Sequence, residues 1–392
     1  MSRPERIRPS PGGAGRRRLE LLSLGDLVIL VDEFVMNTFE QMIERGHERV
    51  CFHHDQRTGL RAIIAIHSTR LGSALGGTRR WHYATEADAL YDVLRLAEGM
   101  TYKAAAADLE MGGAKSVILL SKSTDPTSEA EARAMGRFVD TFGGAYIAAE
   151  DVGLDTQYVD WMGLETKYVM GGETVCSGGN PSPYTARGTV NAMKAALAHL
   201  GRPVSFDGLT IAIQGVGHVG YQLASILTDH GASIIAADLN RARLQRAVDE
   251  FGIQVAAPEQ ILNVECDILA PCALGGVIDA NSARKLRCRI VAGAANNMLD
   301  DPDEDAVVLK NLGILYAPDI IANAGGMIRL AGMYRGMSEQ QVDEKISAIE
   351  STMAQVLQDA ESMPSTHAAA IALANRRIAE GADASKEQVH AG

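Results

Sequence analysis

Large aromatic rings are scarce in this sequence, with seven Phe and two Trp among 392 residues, and so is cysteine, with five. The cysteines, at positions 51, 176, 266, 272 and 288, have no metal-ligand spacing. Their odd number reads as reduced thiols in a cytoplasm, not as a disulfide framework. Positive charge is in deficit: 37 Lys and Arg stand against 49 Asp and Glu, for a formal net charge of -12. With no basic stripe beyond residue 18, a nucleic acid is not favoured as a partner. No apolar run approaches the roughly 20 residues that a membrane span needs, so a membrane is not expected either. What remains is an ordinary globular balance, 46% hydrophobic and 22% charged. The length suits two domains at a prior of roughly 150 residues each. Thirty-nine glycines beside so few bulky rings suit an α/β enzyme with many close backbone approaches.

The front of the chain stands apart. Arg16-Arg17-Arg18 followed by Leu19 to Val31 has the outline of a signal peptide, but Glu20 and Asp26 interrupt it and no small-residue cleavage site follows. Residues 1–35 are therefore expected to be a disordered arm or no part of the native chain, with Met36 as the true start. From Glu48 the pattern is regular. Val50 to His54 and Leu60 to His67 read as strands joined by a polar turn, and Thr85 caps a helix running to Met100. Ser116 to Leu120 and Ala145 to Ala149 read as short buried strands. Gly171 to Pro183 is the densest turn composition in the chain and marks the cleft between domains. A helix over Thr185 to Leu200 follows it. Beyond that, strands at Leu209–Gln214, Ser233–Ala237, Ile268–Leu269, Ile290–Val291 and Ile314–Leu315 alternate with helical stretches. Such alternation predicts a parallel, doubly wound sheet. Amphipathic tail helices, Ser338 to Leu357 and His367 to Glu380, are expected to pack back across the cleft. The fold class is thus α/β: a mixed-sheet substrate domain over 36–180, a Rossmann-type dinucleotide domain over 181–325, and C-terminal helices over 326–392.

Gly215-Val216-Gly217-His218-Val219-Gly220 follows a strand and opens a helix. The first glycine permits the tight turn, the second lets the backbone approach a pyrophosphate, and the third packs helix on strand. The anion lies on free N–H groups at the helix N-terminus. Asp238 closes the next strand at the spacing where a carboxylate takes ribose hydroxyls and repels a 2′-phosphate, which favours NAD over NADP. Arg241 and Arg243 follow closely and could offset that repulsion, although a solvated helix face is the commoner reading of both.

Chemistry is expected in the other domain. Lys103 ends a helix, Lys115 follows a glycine-rich turn before a buried strand, and Asp151 follows another strand. Two lysines and a carboxylate suit dehydrogenation of an amine. Hydride loss from Cα leaves an iminium that water must attack; a lysine with lowered pKa is the base for that water, and a charged lysine anchors the substrate carboxylate. Taken singly, each of these lysines is more often a solvated surface residue.

The motifs Leu75 to Arg79, Gly99 to Lys103, Met111 to Lys115, Ala149 to Gly153, Gly179 to Pro183, Ala270 to Gly275, Gly293 to Asn297 and Ala317 to Gly326 occur in colinear order. Together they resemble the leucine/phenylalanine/valine branch of the amino-acid dehydrogenase family, from about Phe39 to about Glu380. The resemblance implies an NAD-dependent oxidative deaminase in which Lys103 binds the substrate α-carboxylate beside Gly76 and Gly77. Lys115 would be the base and Asp151 its proton-transfer partner. Asn296 would reach substrate and cofactor from the nucleotide domain, and Thr185 and Cys272 would lie by the nicotinamide. One departure is Ala114, where the family usually has a third glycine; a positive φ there would strain an alanine.

By the same resemblance, Leu75 stands where glutamate-specific relatives carry a lysine, and an apolar residue there argues against a side-chain carboxylate. Met100, Ala149, Met170, Met327 and Leu330 would line the side-chain pocket. Ala149 replaces a glycine of phenylalanine-specific members, and Met327 and Leu330 are longer than the valines of leucine enzymes. Both differences narrow the cavity toward valine, isoleucine or leucine. The alternatives are a phenylalanine enzyme and a catalytically silent NAD-binding protein. A homo-oligomer is expected, of a size the sequence leaves open.

Overall fold

The structure, a computed structural model, describes residues 17–24, 27–34, 37–176, 180–273 and 275–390. The expectations for residues 1–16 and for the linker positions 177–179 lie outside them. Arg17–Leu24 (β1) and Leu27–Phe34 (β2) pair antiparallel as a two-stranded sheet of their own, where composition suggested an irregular arm.

The first large sheet comprises Arg49–His54 (β3), Arg61–Ser68 (β4), Ala74–Trp81 (β5), Gly112–Leu119 (β6), Tyr146–Glu150 (β7) and Val169–Met170 (β8), in the order β3-β4-β6-β5-β7-β8. The two pairings at the β3 edge are antiparallel and the others parallel, so the sheet is mixed. Asp55 shapes the β3–β4 turn by accepting the N–H groups of Arg57 and Thr58. Strand β5 was not expected, because its Gly76-Gly77 pair lowers strand propensity. Packing overrides that: a Cβ on Gly76 would sit 1.7 Å from the carbonyl oxygen of Ala114, so only glycine lets β5 approach β6 so closely. Lys115 lies inside β6, not on a turn before it. Ala114 is extended there and fully buried; the only non-glycine residues with positive φ among those described are Asp108 and Asn297, so the alanine carries no backbone strain.

Helix Glu86–Ala106 covers one face of this sheet. Thr85 and Asp88 form a reciprocal capping box at its start, and Leu90, Val93, Leu94 and Ala97 pack on Ile63, Ala65 and Val117. The helix runs six residues past its expected end at Met100, through the strong helix formers Ala104, Ala105 and Ala106. Lys103 is thereby fixed in a last helical turn.

The second sheet is wholly parallel: Thr210–Gln214 (β9), Ser233–Ala237 (β10), Gln254–Val255 (β11), Ile268–Pro271 (β12), Ile290–Val291 (β13) and Leu315–Tyr316 (β14), ordered β11-β10-β9-β12-β13-β14. Counted from β9 this is the 3-2-1-4-5-6 order of a doubly wound dinucleotide fold, whose strand direction of travel reverses between β9 and β12. The tail folds as helices Glu339–Asp359 and Thr366–His390. Arg377 donates to the carbonyls of Ala105 and Ala106, and Lys345 to that of Asp108, so two cations satisfy the C-terminal end of helix Glu86–Ala106. Ala374 and Ile378 pack on Ala105 beside Leu71 and Tyr102. One apolar core runs from Leu75, Met111 and Ile147 through the parallel sheet to Met353 and Leu357.

Candidate active site

The register of the mixed sheet lines up its chemistry. Leu75 pairs with Gly113 and Thr78 with Ser116, which sets Gly77 opposite Lys115; Gly77 pairs with Ala149, and Ala149 with Met170. Residues directly opposite on neighbouring strands point to one face, so Lys115, Gly77, Ala149 and Met170 form a row across β6, β5, β7 and β8. A Cβ on Gly77 would lie 3.3 Å from Lys115 Nζ and 2.8 Å from Asp151 Cβ; of the Gly76–Gly77 pair, it is Gly77 that stands beside the lysine. Gly76 is turned to the other side, its carbonyl accepting from the Tyr146 hydroxyl. Leu75 lies two residues along the same face as Gly77 and is buried.

Lys115 Nζ stands 2.9 Å from Asp151 Oδ2, and Arg79 Nε approaches the same oxygen at 3.2 Å. Arg79 Nη1 also meets Asp92 Oδ2 at 2.9 Å, and the Tyr83 hydroxyl donates to that carboxylate at 2.8 Å. Burial lowers the Lys115 pKa; Asp151 opposes the shift and Arg79 reinforces it. Burial alone would raise the Asp151 pKa, but Lys115 and Arg79 more than offset it and hold the carboxyl at about 2. The site therefore holds a firmly ionised carboxylate beside an ammonium that gives up its proton more readily than an ordinary lysine.

Lys103, on the helix that covers the same mixed sheet as Lys115, reaches toward the parallel-sheet half, its Nζ donating to Asn296 Oδ1 at 2.6 Å. Asn323 Nδ2 donates to the same oxygen at 3.0 Å and to the Ala295 carbonyl at 3.1 Å. Asp319 accepts the N–H of Asn297 and anchors the loop, whose Asn297 has a φ of 52°. Burial lowers the Lys103 pKa to about 8, with Asp319 opposing the shift and Lys115 adding to it. Met100 is one helical turn before Lys103 and half-buried. Helix Gly325–Tyr334 supplies Met327, which is buried, and Leu330, whose Cδ2 would lie 3.7 Å from a Cβ on Gly171, next to Met170.

The three glycines after β9 differ as a dinucleotide site requires. Gly215 has a φ of 92°, and a Cβ there would meet Ala273 at 2.8 Å. A Cβ on Gly220 would fall 1.9 Å from the Gly215 carbonyl oxygen, whereas one on Gly217 would meet nothing within 4 Å. Gly217 is also the N-cap of helix His218–Asp229, and no side chain caps that end. An open backbone surface and uncapped N–H groups together fit a pyrophosphate. Val216 is buried and donates its N–H to Asp238 Oδ2, and Asn240 donates to Oδ1, so the acid braces the glycine loop at the strand edge. His218 is exposed and Val219 half-buried. Arg241 and Arg243 are exposed on the following helix. Cys272 packs behind the loop with its N–H on the Gln214 carbonyl; burial pushes its thiol up to about 12, so it stays protonated. The Thr185 hydroxyl donates to the Pro181 carbonyl at 3.2 Å and faces Gly326. Thr185 is not the cap of its helix; Pro181 holds that position.

Sequence reading assigned no role to Arg79, Tyr83, Asp92, Asp319 or Asn323. One signal was present: Asp92 falls in line with Ala89 and Leu96 on the buried face of its helix, where a carboxylate requires a partner.

A doubly wound dinucleotide fold opposed to a buried lysine–carboxylate centre defines a nicotinamide-dependent dehydrogenase. Residues 47–168 match the family model described as the Glu/Leu/Phe/Val dehydrogenase dimerisation domain, and residues 180–240 and 238–385 match that of glutamate/leucine/phenylalanine/valine dehydrogenase. The chain belongs to this family of amino-acid dehydrogenases. It is 43% identical over 346 residues to the leucine dehydrogenase of Bacillus cereus, covering 88% of this chain and 94% of that one. To the leucine dehydrogenase of Geobacillus stearothermophilus it is 44% identical with the same coverage. The crystal structure of L-tryptophan dehydrogenase from Nostoc punctiforme superposes with a TM-score of 0.75 at 37% identity, covering 88% of this chain and 99% of that one.

Proposed function

We propose that this protein catalyses the reversible, NAD-dependent oxidative deamination of a branched-chain aliphatic L-amino acid to its 2-oxo acid and ammonia. The observation that carries this reading is the row Lys115–Gly77–Ala149–Met170, which sets a buried amine–carboxylate pair beside an apolar strip. The leucine dehydrogenases at 43 and 44% identity support the choice of an aliphatic side chain.

Gly215 to Gly220 and Asp238 would hold NAD, which when bound would supply the acceptor for the Cα hydride. Lys103, fixed by Asn296, pairs with the substrate carboxylate. Ala149, Met170, Met327 and Leu330 hold the side chain and exclude water from it. Once the substrate is an iminium, neutral Lys115 takes a proton from the attacking water, so that hydroxide adds to the substrate carbon. Asp151, ionised at any working pH, accepts and returns the protons that turn the amine into a leaving ammonia. Asp238 disfavours a cofactor carrying a 2′-phosphate.

We further propose self-association through the substrate domain, where Phe39 and Ile43 are 74% and 79% exposed one turn apart and β3 is an open edge carrying exposed Phe52. A cytoplasmic location suits five unpaired thiols. The test is NADH formation across a panel of amino acids with NAD and NADP in parallel. Turnover of leucine, valine or isoleucine with NAD is expected; faster turnover of phenylalanine moves the substrate to an aromatic, and no turnover of any apolar amino acid overturns the reading.

A further inference from the structure

Away from the cleft, two cysteines face each other across the parallel sheet. Ile268 pairs with Ile290 where β12 meets β13, and the same register continues outward to the bridge between Glu265 and Arg287. Cys266 therefore lies directly opposite Cys288, two residues before the start of each strand. The Cys266 N–H donates to the Arg287 carbonyl at 3.1 Å, and the Glu265 and Arg287 side chains form an ion pair beside the two thiols. That ion pair is largely solvent-exposed, so this end of the sheet is open to small molecules. Both thiols are half-buried and near enough to perturb one another's titration. Neighbouring strands run about 4.8 Å apart, inside the Cα separation of roughly 4.4–6.8 Å that a disulfide spans. Two residues of one row on adjacent strands also send their Cβ atoms to the same face, the second condition for a bridge.

We propose that Cys266 and Cys288 are a reversible disulfide site, oxidised by low-molecular-weight disulfides of the glutathione type. One thiol of the pair, as its thiolate, attacks first. It displaces one thiolate from the small disulfide and forms a mixed disulfide. The other cysteine, on losing its proton, attacks the sulfur of the first and expels the second small thiolate. Two protein thiols and one small disulfide thus become one protein disulfide and two small thiols, and the two sulfhydryl protons end on the released thiols.

The bridge would tie together the starts of β12 and β13, at the sheet end opposite Pro271, Cys272 and the glycine loop. Oxidation is thus a staple on the nucleotide domain, remote from the substrate lysines, and not an inactivating lesion. It closes a loop in the unfolded chain and so favours the folded state.

The test is incubation of the full-length, folded protein with oxidised glutathione, followed by alkylation and non-reducing peptide mapping. The expected product is a single linked peptide pair joining Cys266 to Cys288, reversed by dithiothreitol, with Cys51, Cys176 and Cys272 still alkylatable. The oxidised protein should show a higher midpoint of thermal unfolding. In Cys288→Ser the expected product is instead a stable glutathione adduct on Cys266. Failure of wild type to form the link under conditions where glutathione adducts appear on other cysteines overturns the proposal, as does a link that forms only in denaturant. The wild-type mapping does not depend on any variant folding or on which amino acid is the substrate.

Discussion

Arg79 and Lys115 contact one and the same oxygen, Oδ2 of Asp151, at 3.2 and 2.9 Å. The guanidinium makes Asp151 a stronger acid, and it also makes Lys115 a weaker base for protons, after burial. Lys115 must be neutral to take a proton, so deamination rises with pH as that lysine titrates. Replacing Arg79 by Met removes a nearby cation, raises the Lys115 pKa, and is expected to move the acid limb of kcat/KM to higher pH. Arg79→Lys should restore most of the original limb. A pH–rate profile of both variants checks this; an acid limb unmoved in Arg79→Met would mean that Arg79 serves packing alone.

Lys115→Ala is expected to lower kcat by roughly 10² to 10⁴, the range typical of a lost general base. NADH affinity, read by fluorescence titration, should stay near the wild-type value, because Gly215 and Gly217 follow β9 of the other sheet. A variant keeping more than a small fraction of the wild-type rate would remove Lys115 from the chemistry.

Lys103 and Asn296 belong to the helix over the mixed sheet and to the parallel-sheet half, and are joined by a hydrogen bond. Lys103→Ala deprives the substrate carboxylate of its charge partner and should raise KM by roughly 10- to 100-fold, the scale of a hydrogen bond to a charged group. Asn296→Ala leaves the ammonium in place and should raise KM less. Equal KM values for wild type and Lys103→Ala would assign that lysine to structure only.

Ala149 and Met327 are both buried, and Ala149 lies beside Gly77. The double variant Ala149→Gly with Met327→Val enlarges the apolar strip by about two methyl-sized groups. At about 0.8 kcal/mol per buried CH₂, kcat/KM for phenylalanine relative to valine should rise on the order of tenfold. Loss of both activities at an unchanged ratio would show that these side chains do not wall the substrate pocket.

His47 and His67 pack edge to face under helix Glu86–Ala106, and His47 Nε2 lies 3.0 Å from the Leu94 carbonyl. Burial lowers the His47 pKa from 6.5 to about 4, and His67 adds to the shift. A histidine kept neutral in the fold takes up its proton more readily when unfolded. Stability is therefore expected to fall as pH drops from about 6.5 toward about 4. In His47→Gln the thermal midpoint should vary less steeply over that window; an equally steep fall would assign the acid sensitivity to other groups.

Much of the nucleotide half was legible because strand, glycine loop and acid are local in sequence. Ser233–Ala237 and Ile290–Val291 form strands at the expected bounds. The substrate half was less so. Strand β5 looks like a loop until β6 is laid against it, since the reason for Gly76 is a carbonyl 38 residues away at Ala114. Arg79 gains its meaning only from Asp92 and Asp151, which arrive from a helix and from another strand. Lys103 and Asn296 are 193 residues apart, and no local pattern announces their bond.

The row from Lys115 to Met170 places the amine on one strand and the apolar wall on others, with a glycine between them. In the proposed reaction, proton handling and size selection therefore occupy separable stretches of chain: β6 and the end of β7 would hold the charges, while Ala149, Met170 and the distant helix of Met327 would set the volume. Substitutions in the second group can accumulate without disturbing the first, because Gly77 has no side chain through which a change of bulk would be transmitted to Lys115. A lineage built on this sheet is free to drift among substrates while its chemistry stays fixed, and the spacer glycine is the position least able to vary.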